Sequence, residues 1–384
     1  MVRVAIIGVG WYGFKPSTPE VSFREMMFEA AVKAYEDAGG LNPREDIDAF
    51  VTCEEDYWSG ISIFDEFVPD PLGGWLKPVY TITGDGLQGI AAAYMKIKTG
   101  AFNVVVVEAH SKASEIKTYN DIVEFACDPV YNRLGVHPYY IAGLEARSYM
   151  LYSKATREHY AMIVEKNKNA ALTNPNASYA SKVCVNDVLS LTPAFDPLTW
   201  MDIAPLVDVA IVMVLASEEI AKTYSEKPIW IEGIGWSSDS PSLEFRCWDK
   251  ALYAKRAAEM AYKMAGIENP AKQVDLFEID DKFSYKELQH IEALKLASNI
   301  EAPKMLEKGD FHRDGALPVN PSGGFLGMGN ALEASGLVKT LEVVLQLRGE
   351  AYGRQVKGAK KGVAMSWRGI PTATGATIIL SSER

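Results

Sequence analysis

Gly84-Asp85-Gly86 stands between an apolar, β-branched run and a helix-period run. Val79–Ile82 reads as the end of a strand. The glycines force a turn, and Leu87, Ile90, Ala91, Tyr94 and Ile97 then give one buried helix face that stops at Gly100. A polar side chain at such a turn faces the positive end of a helix, where enzymes place nucleophiles and oxyanion sites. The same pattern also suits a plain strand-to-helix junction in which Asp85 caps the helix.

The other reactive side chains are scattered. Cys53, Cys127, Cys184 and Cys247 form no C-x-x-C pair, and His110, His137, His159, His290 and His312 have no metal-ligand spacing. The expectation is a chain without a metal and without a disulfide framework, in a reducing, cytoplasmic compartment. A formal charge of −11 argues against nucleic acid or an anionic membrane as partner. No run of 18 apolar residues suggests a membrane span, and the N-terminal V-R-V-A-I-I-G-V-G reads as a strand.

The elements that must position a site come in two similar sets. Ile229–Trp236 (I-W-I-E-G-I-G-W) mirrors Val4–Trp11 (V-A-I-I-G-V-G-W). Ala261–Phe277 mirrors Ala34–Phe50, with Ala, Tyr, Ala, Gly, Asn, Pro, Asp and Phe at a constant offset. Asp85-Gly86-Leu87 then corresponds to Ser335-Gly336-Leu337, and Val104–Val107 to Gly362–Met365. This is a duplicated α/β domain. The helix starts near Leu87 and Leu337 should meet across a pseudo-twofold axis, with the site between the halves. Helices are expected over Ser22–Ala38 and Ile141–Lys168, and Gly8-Val9-Gly10 is expected to end the first strand. The long stretch before the first helix speaks against a dinucleotide-binding turn there. The expected division is 1–111 with 206–225, an inserted loop domain at 112–205, and a second half at 226–384.

Several stretches resemble the thiolase superfamily, and within it the archaeal and sterol-carrier-protein-type thiolases. They are G-D-G-L-Q-G-I, V-V-V-V-E-A-H-S-K-A-S, G-L-E-A-R-S-Y-M, E-I-D-D-K-F-S, N-P-S-G-G-F-L-G-M-G-N-A-L-E-A-S-G-L and Q-L-R-G-E-A. The resemblance implies an α-β-α-β-α five-layer arrangement and an enzyme of coenzyme A thioesters that works on a carbon–carbon bond. It also exposes departures. The family's nucleophilic cysteine falls on Thr83, the histidine and cysteine of H-D-C-F fall on Asp280 and Lys282, and the histidine and proline of G-H-P fall on Asn330 and Ala331. Cys53, at the repeat position of Asp280, is the remaining cysteine near the cleft, and free buried cysteines are usually inert.

Asp85, Asp280, Asp281, Asn330 and Thr83, with Tyr285 nearby, are therefore the candidate site residues, and they would make the cleft polar and acidic. Carboxylates in a buried cleft are held above their ordinary pKa and can move protons, which suits aldol or retro-aldol chemistry. The alternative is a catalytically silent subunit with a structural or CoA-binding role. Lys154, Arg157 and Lys182, with Lys166 and Lys168, are candidates for the coenzyme A phosphates. The resemblance further implies a homodimer, expected to pair through Asn103–Val107 with His110 at that strand edge, and a small zinc-ribbon and OB-fold partner subunit.

Overall fold

The computed structural model describes residues 2–54, 64–116 and 119–383. Nine strands carry the architecture: β1 (Val4–Lys15), β2 (Ala49–Cys53), β3 (Val79–Ile82), β4 (Val104–Ser111), β5 (Asp208–Ser217), β6 (Ile229–Ser238), β7 (Leu276–Glu278), β8 (Lys361–Trp367) and β9 (Thr374–Ser381). Their order is β3-β2-β4-β5-β1-β6-β9-β8-β7. The halves repeat the same pairing. β2 runs parallel to β4, β4 antiparallel to β5, and β5 antiparallel to β1; β7, β8, β9 and β6 do the same. β3 has only a trace in the second half, the single parallel bridge Phe277–Val319. The half-sheets join at a seam of two residue pairs, Ala5–Trp230 and Ile6–Ile229.

Eight helices matter for the site: α1 (Phe23–Asp37), α2 (Gly86–Lys98), α3 (Tyr140–Ser153), α4 (Arg157–Ala171), α5 (Leu252–Ala265), α6 (Ser284–Ala293), α7 (Gly324–Met328) and α8 (Ser335–Arg348). Alternate residues of β1 face opposite layers, as the strand period requires. Ala5 and Ile7 share a core with Met26, Ala30 and Ala34 of α1, whereas Val4, Ile6 and Val9 share one with Leu87 and Ile90 of α2. α2 and α8 pack together between the half-sheets, with α1 and α5 outside: the five layers expected. Burying each large apolar side chain of α2 is worth about 1.5–3 kcal/mol.

The repeated G-x-G does not end a strand. Gly8 and Gly10 lie inside β1, and an added Cβ would sit 2.3 Å from Ala34 O and 2.1 Å from Ala30 O of α1. Gly233 and Gly235 of β6 meet Ala261 O and Ala257 O of α5 at 2.2 Å each. The motif is duplicated because each half presses a helix onto the backbone of its first strand.

Two further expectations are corrected. Lys154 adopts φ +65° and splits the helix expected over Ile141–Lys168 into α3 and α4. β4 is not an edge. It lies between β2 and β5, and all eight of its residues are buried, so Val104–Val107 and His110 are covered without a second copy. The half-exposed β3 is the edge on that side.

Candidate functional site

α2 and α8 start against one another. An added Cβ on Gly86 would lie 2.5 Å from Leu337 Cγ, and one on Gly336 2.0 Å from Asp85 Oδ1. Asp85 is the N-cap of α2: its Oδ1 accepts from Leu87 N (2.9 Å), and Gln88 closes the capping box. α8 has Ala334 at its own N-cap and no side-chain cap. Asp85 supplies one from the other half, accepting from Gly336 N at 2.9 Å, and takes the Ser366 hydroxyl at 2.5 Å. The cap seen from sequence is thus a double cap that pins the halves together. Burial pushes the Asp85 carboxyl up, against the pull of Lys282 and these donors.

A small pocket opens beside this junction, lined by Asp85, Tyr119, Lys282, Asn330, Glu333 and Arg368 among others. It encloses about 20 Å³, room for one water-sized polar group. Of the sequence candidates, Asp85 and Asn330 line it. Asn330 is anchored by its backbone, which donates to Pro205 O (2.7 Å) and accepts from Val207 N (3.1 Å); its Oδ1 accepts from Leu332 N. Thr83 is exposed, one residue before the pocket's Gly84.

Asp280 and Asp281 lie behind the pocket, fully buried. Asp280 accepts from Lys282 N (3.0 Å), Lys282 Nζ (2.7 Å) and Trp367 N (3.1 Å). Burial alone would raise its carboxyl; the Lys282 and His290 charges and these donors hold it below the usual carboxylate range. Asp281 accepts from Phe325 N and Leu326 N at the start of α7, from Asn167 Nδ2 (2.8 Å) and from Lys339 Nζ (3.2 Å). Tyr285 is buried and gives its hydroxyl to Glu145. Lys282, which the resemblance sets at the family's second cysteine position, lines the pocket. Two of its three donors go to Asp280 and Trp367 O (2.8 Å), which leaves one, and the ammonium also stands 4.7 Å over the Phe325 ring.

Glu333 and Arg368 were not legible as site residues. They follow the glycine-rich run and β8, in segments with no chemical pattern of their own. Glu333 is 6% exposed. Burial first, then the Glu54 and Asp85 charges, push its carboxyl well above the ordinary range. Behind it lie Glu54 and Glu108, with His110 Nδ1 at 2.7 and 3.0 Å from their Oε1 atoms and Phe23 stacked on the ring. Ligand atoms of these three residues lie within 4.8 Å of one another, spacing that also fits a metal ion. The ring supplies the positive charge itself: burial opposes its protonation, but Glu54 and Glu108 raise it well above the usual histidine range.

Cys53 is sealed from the pocket. Its Sγ presses on α2, 2.0 Å from where a Cβ on Gly89 would stand, and burial with the Glu108, Asp85 and Glu54 charges pushes its thiol well up. Lys166 and Lys168 are also interior: one pairs with Glu287 at 2.9 Å, the other donates to Leu326 O and Tyr179 O. Lys154 and Lys182 are exposed and Arg157 half-buried. Among the described residues, no helix is long and apolar enough to cross a membrane.

The family model for Thiolase C-terminal domain-like proteins matches residues 246–382. The acetyl-CoA acetyltransferase of Methanothermobacter thermautotrophicus is 31% identical over 372 residues, covering 94% of this chain and 95% of that one. Sterol carrier protein 2 of Oryctolagus cuniculus is 29% identical, covering 93% and 68%. The solved structure named Ltp2-ChsH2(DUF35) aldolase superposes with a TM-score of 0.85 at 23% identity, covering 100% of this chain and 98% of that one.

Proposed function

The chain belongs to the thiolase superfamily, and from that premise we propose that it makes or breaks a carbon–carbon bond of an acyl-CoA thioester by aldol chemistry, without an acyl-cysteine intermediate. One observation carries this: where the family places thiol and imidazole, the pocket presents the Lys282 ammonium, the Asn330 amide and two carboxyl groups. A retro-aldol step needs a holder for the thioester oxygen as it becomes an enolate, a base for the β-hydroxyl and an acid for the α-carbon. The third Lys282 donor and Asn330 Nδ2 hold the oxygen. The ionised Asp85 takes the hydroxyl proton and the neutral Glu333 delivers one to the α-carbon. Asp280 acts through Lys282, Asp281 through α7, and Thr83 offers a hydroxyl beside the turn.

The wider reading keeps Lys154, Arg157 and Lys182 for the coenzyme A phosphates and 112–205 as the inserted domain, in a cytoplasmic protein. The homodimer is proposed through the β3 edge, since an open edge invites pairing. The aldolase named with a DUF35 component supports a second subunit here, and the family resemblance implies a small one with a zinc ribbon and an OB-fold.

A second reading, a silent subunit with a structural or CoA-binding role, has its own support: Asp85, Asp280 and Asp281 are all occupied in holding helix starts or Lys282. Glu333→Gln separates the two. The aldol reading expects β-hydroxyacyl-CoA cleavage, assayed with any co-purifying partner, to fall about 10²-fold. The native rate should decline as pH rises through the elevated pKa of Glu333, because the protonated form is the donor. A silent subunit gives no cleavage in either protein.

A further inference from the structure

A second cavity, of about 260 Å³, lies between the end of α3, the start of α5 and the C-terminal turns of α6. Tyr152, Lys250, Lys255, Gln289, Glu292 and Lys295 line it, and none of them lines the acid pocket. The three lysines are exposed, and the carboxylates of Glu259, Asp249 and Glu292 stand among them. Lys250 Nζ stands 4.8 Å over the Tyr152 ring, which fixes it at the cavity, and Lys295 pairs with Glu259 at 3.2 Å. Lys255 has no ion pair within 4 Å among the described residues, although Glu259 feels its charge.

The built part of the site is Gln289, 1% exposed. Its Oε1 accepts from Lys286 Nζ at 2.8 Å, and its Nε2 has no hydrogen-bond partner among the described residues. A buried amide donor left without an acceptor is unfavourable, and an oxygen-rich ligand would supply one. Glu292 accepts from Tyr149, and burial lifts its carboxyl to about 7, so its charge opposes an anion only in part. From Gln289, polar contacts continue to the acid pocket: Lys286 Nζ to Tyr253 OH (3.2 Å), that hydroxyl to His290 Nε2 (2.9 Å), His290 Nδ1 to Asp280 O (2.7 Å), and Asp280 to Lys282.

We propose that this cavity binds a phosphate group, inorganic or carried on a small organic molecule, through Lys250 and Lys255 with Gln289 Nε2 as its buried donor. The test is calorimetric titration of the full chain with inorganic phosphate in one arm and adenosine 3′,5′-bisphosphate in the other. Saturable binding of one probe molecule per chain is expected, weakened about tenfold or more by Lys255→Glu and by Lys250→Glu, and weakened by salt. Both substitutions are at exposed positions, so the melting temperature should hold. Saturation by both probes supports phosphate as the recognised group, and saturation by the bisphosphate alone supports recognition of the attached group as well. No saturation by either at about 10 mM, or affinities unchanged in both lysine variants, overturns the proposal. Lys255→Glu should cleave β-hydroxyacyl-CoA at the native rate in phosphate-free buffer, so failure here leaves the acid-pocket reading standing.

Discussion

The strand ends of the two halves bury charge in opposite ways. In the C-terminal half each acid behind the pocket meets an ammonium: Asp280 with Lys282 at 2.7 Å, Asp281 and Glu278 with Lys339 at 3.2 and 3.6 Å, and Glu287 with Lys166 at 2.9 Å. In the N-terminal half one imidazole serves Glu54 and Glu108, with Glu333 close enough to feel the charge of Glu54. The first arrangement is a closed framework that positions Lys282. The second has more acid than cation, and burial first, then that excess of negative charge, raises the Glu333 carboxyl well above the ordinary range, which is what the proposed proton donor requires. The buried histidines follow suit: His110 is pushed up by two carboxylates, while burial first and then Lys286 bring His290 down to about 4.

Breaking the framework should cost most. Lys339→Met leaves Asp281 and Glu278 buried without their cation, a loss of about 3–5 kcal/mol, measurable as a lower denaturant midpoint. A native midpoint would mean the C-terminal charges are not acting as a framework. Lys282→Met should cost slightly less in free energy but act on catalysis, lowering kcat for a β-hydroxyacyl-CoA about 10²–10³-fold; Lys282→Arg, which keeps the charge, should recover part of that. Equal rates in the native and Met proteins would remove Lys282 from the mechanism.

The smallest effect sharpens the contrast between the histidines. His290 stays neutral when folded and takes a proton when unfolded, so the unfolded chain binds more protons between pH of about 4 and 6.5. Stability should therefore climb with pH across that window, by at most ~1.4 kcal/mol per unit from this group. His290→Gln should flatten that part of the profile. His110, displaced upward, adds no slope of its own across that window.

The duplication, the layers and the meeting of two helix starts were legible because they rest on periodicity and a repeated spacing, which local sequence carries. Asp85 as a cap was legible for the same reason; its second helix was not, because Gly336 lies 251 residues away. Asp280 was legible as a departure at a family position and Asp281 as its acidic neighbour, but their burial behind Lys282 depends on Trp367 and Lys339, which no local pattern joins to them. Glu333 takes its character from Glu54 and Asp85, distant in sequence, so its type alone said nothing. Asn103–Val107 misled because a fully buried central strand and an aggregation-prone edge have the same β-branched composition.

The central claim is that this thiolase-fold chain works without an acyl-cysteine. Intact-mass measurement of the protein, with any co-purifying partner, during turnover of a β-hydroxyacyl-CoA tests it most directly. The account predicts aldehyde or ketone product with the protein mass unchanged, and no effect of iodoacetamide on the rate. A mass increase equal to the acyl group, mapped to Cys53 or to any other cysteine, together with iodoacetamide-sensitive thiolysis, would contradict it.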